Sequence, residues 1–66
     1  MSVILELKSK LGQLNHELYN HINYMYVMSY DYNYNINDMF RDENKQNILT
    51  HKIYDLLKEL EKYEHI

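Results

Sequence analysis

Three pairs of a histidine and a carboxylate lie four residues apart, a spacing that places both side chains on one face of an α-helix. The pairs are Glu17–His21, His51–Asp55 and Glu61–His65. Imidazole and carboxylate groups arranged in this way can bind a metal ion together. Glu17 and His21 are the candidate ligands, because a two-fold dimer would join two copies of them inside a helical bundle. The favoured interpretation has no metal site: His21 is a partly buried side chain that pairs with a carboxylate or a tyrosine hydroxyl. We expect no cofactor.

The hydrophobic pattern of the first half predicts the helix that carries Glu17 and His21. If Ile4 is position a of a heptad, every a and d residue from Ile4 to Tyr32 is apolar except His21. In the same frame, the other two histidine–carboxylate pairs lie at outer positions and face water. The a and d residues are Ile4, Leu7, Leu11, Leu14, Leu18, His21, Met25, Met28 and Tyr32. They predict a helix from residue 3 to about residue 30 or 32, with Ser2 as its N-cap. Gly12 falls at an outer b position, a tolerated surface glycine.

A second pattern competes with the helix over residues 22–36. Apolar and aromatic residues also alternate with period two in this stretch, as they do in a β-strand. They are Ile22, Tyr24, Tyr26, Met28, Tyr30, Tyr32, Tyr34 and Ile36. The strand pattern would place Met25 and Val27 on the polar face, and no Asn-Gly pair marks a tight turn. A helix is therefore favoured, and a helix–β-ribbon–helix arrangement is the alternative.

The chain is expected to break at residues 33–37, Asn-Tyr-Asn-Ile-Asn. Asparagine side chains compete for backbone hydrogen bonds and favour turns. Asn37 and Asp38 are predicted to cap a short helix that carries Met39 and Phe40. Residues 41–47 are uniformly polar and are predicted to face solvent.

A second long helix is predicted from about residue 45 to residue 64. Its seam consists of Leu49, Ile53, Leu56, Leu60 and Tyr63, widened by Ile48 and Leu57. The a positions of both halves stay in one heptad frame, from Ile4 to Leu60. A single long helical rod would show the same frame, but the polar residues Asn35, Asp42 and Gln46 interrupt it and favour two separate helices.

We therefore predict one small all-α domain, residues 1–66, that folds as a helical hairpin with an asparagine-rich connection. A chain of 66 residues without cysteine has few means of stabilising a fold alone. Self-association into a homodimeric four-helix bundle is the expected solution.

Composition limits the function classes. The net charge of −3 and the dispersed basic residues argue against nucleic-acid binding, and no apolar run is long enough for a membrane span. A single glycine excludes a glycine-rich phosphate loop. Eight tyrosines, eight asparagines and no alanine or proline indicate an AT-rich genome, such as that of a low-GC bacterium or its phage. We expect a soluble, cytoplasmic protein.

The segment Ile48-Leu49-Thr50-His51-Lys52-Ile53-Tyr54-Asp55-Leu56-Leu57 resembles the Ser-Gln-Glu-Leu-Asp segment of the small helical-hairpin aspartyl-phosphate phosphatases of sporulating bacteria. Ile4-x-x-Leu7-Lys8-x-x-Leu11 is similar to their first helix. The resemblance implies a hairpin that docks on a response regulator and removes its phosphoryl group. Tyr54 stands where the motif has aspartate, and Asp55 follows one residue later on another helix face. The predicted connection is also longer than in that family.

A second resemblance concerns metal binding. Glu17-Leu18-Tyr19 followed by Tyr24 is similar to the first helix of ferritin-like di-iron proteins. The Glu-x-x-His motif of their second helix is absent here. A metal-binding helical bundle is thus an alternative function.

The strongest functional signal is a cluster of tyrosine and methionine side chains in the middle of the chain. Tyrosine offers a large rigid contact area, and methionine adapts to irregular partners. The predicted partner-binding residues are Tyr24, Tyr26, Met28, Tyr30, Tyr32 and Tyr34. They predict a non-enzymatic interaction module, an adaptor or inhibitor, whose partner is a second copy of the chain, another protein, or both.

Overall fold

The computed structural model describes residues 2–64, which form two α-helices, α1 (Val3–Met28) and α2 (Ile36–Glu64), joined by residues 29–35. The helices run antiparallel, because Lys8 near the start of α1 forms an ion pair with Glu64 at the end of α2, at 2.7 Å. The resulting hairpin measures 50 × 16 × 15 Å. The predicted all-α helical hairpin is confirmed.

The helices pack through the seam that the heptad pattern predicts. In α1, Leu7 and His21 are buried, and the other members up to Met28 are partly buried. In α2, Leu49 and Leu60 are buried, whereas Ile53 and Leu56 are partly buried. Within residues 2–64, only three apolar side chains are buried: Leu7, Leu49 and Leu60. The hydrophobic core is therefore a single narrow strip.

The first helix ends earlier than predicted. It stops at Met28, and the amides of Tyr30 and Asp31 bond to carbonyls three residues back, in the manner of a tight turn. The hydroxyl of Ser29 donates to the Tyr26 carbonyl at 2.6 Å, so it occupies an acceptor at the helix end. Tyr32, predicted to be the last seam residue, lies in the connection and is fully exposed.

The second helix begins earlier than predicted, at Ile36 instead of about residue 45. Asn35 and Asp38 cap it reciprocally: the Asn35 side chain accepts from the Asp38 amide at 3.0 Å, and the Asp38 carboxylate accepts from the Asn35 amide at 3.3 Å. The predicted cap at Asn37 is therefore wrong by two residues. The expected short helix and the polar residues 41–47 belong to α2, so the connection is only seven residues long.

Other expectations also need correction. Residues 2–64 contain no strand, so the β-ribbon alternative is wrong. Tyr63 is 52% exposed and lies outside the seam, and Ile48 and Leu57 are nearly half exposed, so they widen it little. Ser2 is the N-cap residue of α1, but its side chain makes no capping bond. Between residues 2 and 64 there is no helix whose length and hydrophobicity would let it span a lipid bilayer.

Gly12 gives a first testable prediction. A Cβ atom at this position would have no neighbouring atom within 4 Å, as expected for a surface glycine. Gly12→Ala is therefore expected to raise the free energy of unfolding by about 1 kcal/mol, because alanine loses less backbone entropy in a helix. Urea unfolding measures the change. Ser9→Gly, which introduces a glycine at another exposed position of α1, should lower the free energy of unfolding. Equal changes in the two variants would contradict the prediction.

Candidate functional site

His21 is the polar residue that interrupts the seam of α1, and it is buried, with 7% of its surface exposed. Its Nε2 atom lies 2.7 Å from the main-chain carbonyl oxygen of Asp42 on α2. Because a carbonyl only accepts hydrogen bonds, Nε2 carries the proton and donates. The ring also stacks on Tyr24, with 6.2 Å between the ring centroids. The interpretation of His21 as a buried, hydrogen-bonded histidine is confirmed, although its partner is a carbonyl group.

Asp42 lies at the d position opposite, and it is only 4% exposed. The expectation that residues 41–47 all face solvent is wrong here. A buried carboxylate is stable only when hydrogen bonds replace its water. The hydroxyl of Tyr34 donates to Oδ2 at 2.5 Å, and Nε of Arg41 donates to Oδ1 at 3.3 Å. Arg41 also pairs with Asp38 at 3.4 Å. We call His21, Tyr34, Arg41 and Asp42 the polar cluster.

Hydrogen bonds and charges within the polar cluster favour an ionised Asp42, a protonated Arg41 and a neutral Tyr34. The bond from Tyr34 is the main cause that lowers the pKa of Asp42 below its ordinary value. The same bond raises the pKa of Tyr34 to about 12. The Asp42 carboxylate raises the pKa of Arg41. All three shifts move titration away from neutral pH, so these groups are suited to hold the helices together and not to transfer protons.

The Tyr34–Asp42 bond predicts a pH dependence of stability. A pKa raised from 10.0 to about 12 in the folded state stabilises the fold fully below pH 10 and loses that effect as the pH rises toward 12. Wild type should therefore melt at a higher temperature than Tyr34→Phe at neutral pH, and the difference should shrink between pH 10 and 12. Tyr32→Phe, at a fully exposed side chain, is the control and should change neither melting temperature. A difference that persists at pH 12 would refute the assignment.

Residues of the described part of the chain line two grooves beside the seam. The first, of about 430 Å³, is lined by His21, Tyr24, Arg41, Asp42 and Lys45. The second, of about 400 Å³, is lined by Lys10, Gln13, Leu14, Glu17, Lys52, Asp55, Leu56 and Glu59. The candidate metal ligands Glu17 and His21 thus line different grooves. Among residues 2–64, no three histidine, aspartate or glutamate side chains are grouped to hold a metal ion. His65 lies outside the described residues.

The segment that resembles the phosphatases lies on α2. Tyr54 is 61% exposed, and Nζ of Lys58 lies 5.6 Å from the centroid of its ring. Asp55 lines the second groove, where Lys52 and Lys10 are also found. The adjacent residues Tyr54 and Asp55 therefore present different surfaces. The phosphatase interpretation stays a prediction.

The tyrosine cluster is divided among several environments. Tyr26 and Tyr30 pack edge to face, with ring centroids 5.5 Å apart and hydroxyl groups 3.2 Å apart, and both are mostly exposed. Tyr24 stacks on His21, and Tyr34 bonds Asp42. Met28 is partly buried at the end of the seam, and Tyr32 projects from the connection. The assignment of these six residues as partner contacts stays a prediction.

The two long faces of the hairpin differ in composition. With a and d in the seam, positions b and e of both helices form one face, and positions c and g form the other. The paired residues Lys8 and Glu64 are both at e, whereas both grooves are lined from c, d and g positions. We call the b and e surface the apolar face. Its large exposed side chains are Leu5, Tyr19, Ile22, Tyr26, Ile36, Phe40, Tyr54 and Leu57.

Charge is concentrated on the opposite surface, which we call the charged face. Its c and g residues include Glu6, Lys10, Glu17, Asp38, Arg41, Lys45, Lys52, Asp55, Glu59 and Lys62. Among the described residues, the charged side chains on the apolar face are Lys8, Glu43, Glu61 and Glu64. The hairpin is therefore amphipathic as a whole, beyond the amphipathicity of each helix.

Sequence reasoning missed Asp42 and Arg41 as members of the site. The residue types carried no signal for the contact between the helices, because His21 bonds the main-chain carbonyl oxygen of Asp42, which every residue type offers. Comparison of the chain with models of known protein families, with curated proteins and with solved structures finds no match. The function has to be argued from the hairpin and its two faces.

Proposed function

We propose that this chain is a small, non-enzymatic protein-interaction module, of the adaptor or inhibitor kind, that pairs with a second copy to form a four-helix bundle. The observation that carries the proposal is the concentration of exposed apolar side chains on one face of the hairpin. Soluble monomers rarely leave an extended apolar surface open to water, and such surfaces are typical of protein contacts.

The burial within one hairpin supports the need for a partner. No side chain of residues 2–64 is fully buried, and the buried apolar side chains are confined to the seam. Two helices alone cover only one side of each other, so the b and e positions stay in water. In a four-helix bundle, each helix contacts two neighbours, so side chains beside the a and d positions are covered as well. A second hairpin would therefore cover the residues that the first leaves exposed.

The dimensions of the hairpin fit this pairing. The hairpin is 50 Å long and 16 Å wide, so pairing along the whole apolar face would give an extended contact surface. Pairing through the apolar face leaves the charged face hydrated, so few charges lose their water. A second copy is the partner that is always present and always carries the same apolar surface.

Contacts with another protein would use the tyrosines that the self-pairing leaves open. Tyr30 and Tyr32 both lie in the connection, and Tyr30 is 74% exposed. Both project from the end of the hairpin where the helices join. Tyrosine side chains dominate the binding energy of many interfaces, because they bring large contact area with little loss of entropy. This end is the surface that we assign to a regulatory target.

A pair of matched variants tests the self-pairing. Ile22 on the apolar face and Ile48 on the charged face are both isoleucines, with 43% and 47% of their surface exposed. Light scattering should give wild type about twice the chain mass of 8.2 kDa. Ile22→Glu should reduce the mass to that of one chain, because a buried, unpaired carboxylate opposes association. Ile48→Glu should leave the dimer intact.

The same samples give a second readout. The melting temperature of a dimer rises with protein concentration, whereas that of a monomer does not. Wild type and Ile48→Glu should show this dependence, and Ile22→Glu should lose it. Wild type that remains a single chain at every concentration would disprove the self-pairing. Equal effects of the two glutamate variants would show that the apolar face is not the interface.

A further inference from the structure

We propose that the hairpin can open and exchange α2 with a second copy of the chain, by winding residues 29–35 into one continuous helix, and that the Tyr34–Asp42 bond opposes this exchange. In the exchanged dimer, two continuous helices supercoil around each other in antiparallel orientation, and α1 of each chain packs on α2 of the other. This inference is independent of pairing through the apolar face, in which both hairpins stay closed.

The heptad phase of the two helices permits the exchange. Met25 in α1 and Gln46 in α2 are separated by three whole heptads, so both occupy a positions of one heptad frame, although Asn35, Asp42 and Gln46 are polar members of it. A connection wound as a helix would therefore keep both seams on the same side of the rod. It would also bring Tyr32, fully exposed in the hairpin, to the a position between them. The exchanged dimer thus keeps the existing seam and adds to it.

The first residue of the connection continues the helix, and nothing in the sequence of the connection forbids helical backbone angles. The connection contains neither glycine nor proline, and no residue of the described chain has a positive φ angle. Ser29 has helical backbone angles of −62° and −17°, and its amide bonds the Met25 carbonyl at 3.0 Å, as the next residue of a helix would. Exchange of an identical element between two copies of a chain is a low-cost route to a dimer.

Three polar contacts hold the connection bent. The Asp31 side chain accepts from the Asn33 amide at 2.8 Å, and Asn35 and Asp38 cap α2 reciprocally. The third contact is the bond from Tyr34 to Asp42. In a continuous helix these two residues would be about 12 Å apart along the axis, so the bond would be lost. The balance between closed hairpin and rod therefore depends on these side chains.

Distance measurement within one chain distinguishes the two forms. Lys8 and Glu64 are in contact in the closed hairpin, whereas 56 residues of continuous helix would separate them by about 84 Å. Cysteines at positions 8 and 64 can carry spin labels specifically, because the chain has no other cysteine. Labelled chains are mixed with a large excess of unlabelled chains, unfolded and refolded together, so that only distances within one chain are observed.

The double variant Tyr34→Phe/Asn35→Ala should lose the short distance in most chains and gain the long one, with a slightly larger helical circular dichroism signal from the newly wound residues 29–35 and twice the chain mass. Tyr30→Phe, which removes only the bond to Tyr26, is the control and should keep the short distance. Tyr32→Leu provides a second variant. The Tyr32 side chain is fully exposed in the closed hairpin, so its replacement removes no packing contact from that form. The variant should raise the share of the long distance several-fold. A short distance retained in both variants at every concentration would overturn the proposal, whereas dimers of closed hairpins would still satisfy the proposed function.

Discussion

Leu49→Ala is expected to lower the free energy of unfolding by about 2–4 kcal/mol, the usual loss for a buried leucine. Leu49 is 5% exposed and is one of three buried apolar side chains among residues 2–64. Two helices can close only part of the cavity that its side chain would leave. A domain of this length is stable by roughly 3–10 kcal/mol, so the variant should be partly unfolded at low protein concentration.

The neighbouring residue supplies the control. Ile48 is adjacent in sequence but 47% exposed, so Ile48→Ala should cost less than about 1 kcal/mol. Both variants are compared by urea unfolding at one fixed protein concentration, because association contributes to the measured stability. Similar losses for the two variants would contradict the position of the seam.

Asp42→Ala is expected to lower the melting temperature by about 5–10 °C, and Asp42→Leu to restore or exceed that of wild type. In the alanine variant, the Tyr34 hydroxyl and the Arg41 guanidinium lose their acceptor, and nothing fills the space. Leucine at the same d position extends the apolar seam. Buried ionic groups are often replaceable by apolar ones without loss of stability.

A double-mutant cycle checks this account. Tyr34→Phe should destabilise wild type but have no effect on Asp42→Leu, because its hydrogen-bond acceptor is already absent. The stability lost in Leu49→Ala should show no such coupling to one other residue, because a buried leucine contacts many side chains. If Tyr34→Phe has the same effect in both backgrounds, the bond contributes nothing to stability. An unchanged melting temperature in Asp42→Ala would lead to the same conclusion.

The seam of the hairpin could be predicted because it depends on local spacing. Apolar residues at intervals of three and four fall on one side of a helix wherever that helix is placed. The helix ends were predicted less well, since they depend on which side chain captures which backbone group. Ser29 bonds the Tyr26 carbonyl, and Asn35 rather than Asn37 caps α2. Asn33, Asn35 and Asn37 alternate with other residues and offer equivalent caps, so residue type alone does not select one.

The burial of Asp42 could not be predicted from its own neighbourhood. It lies in a polar run, and its partners are Tyr34, eight residues before it, and His21, twenty-one residues before it. The pair Glu17 and His21 was predicted from helical spacing alone. In the structure, His21 bonds the Asp42 carbonyl on the other helix and does not pair with Glu17. The division of the tyrosines among different surfaces likewise depends on where each helix ends.

By itself, the sequence determined two helices, each with one apolar seam through which they can pack antiparallel, because helical periodicity is a property of consecutive residues. Only the tertiary structure decided which polar residues enter that seam and which apolar residues share the open face. Those outcomes depend on the meeting of side chains far apart in the chain, where a hydrogen bond across the seam compensates the loss of water.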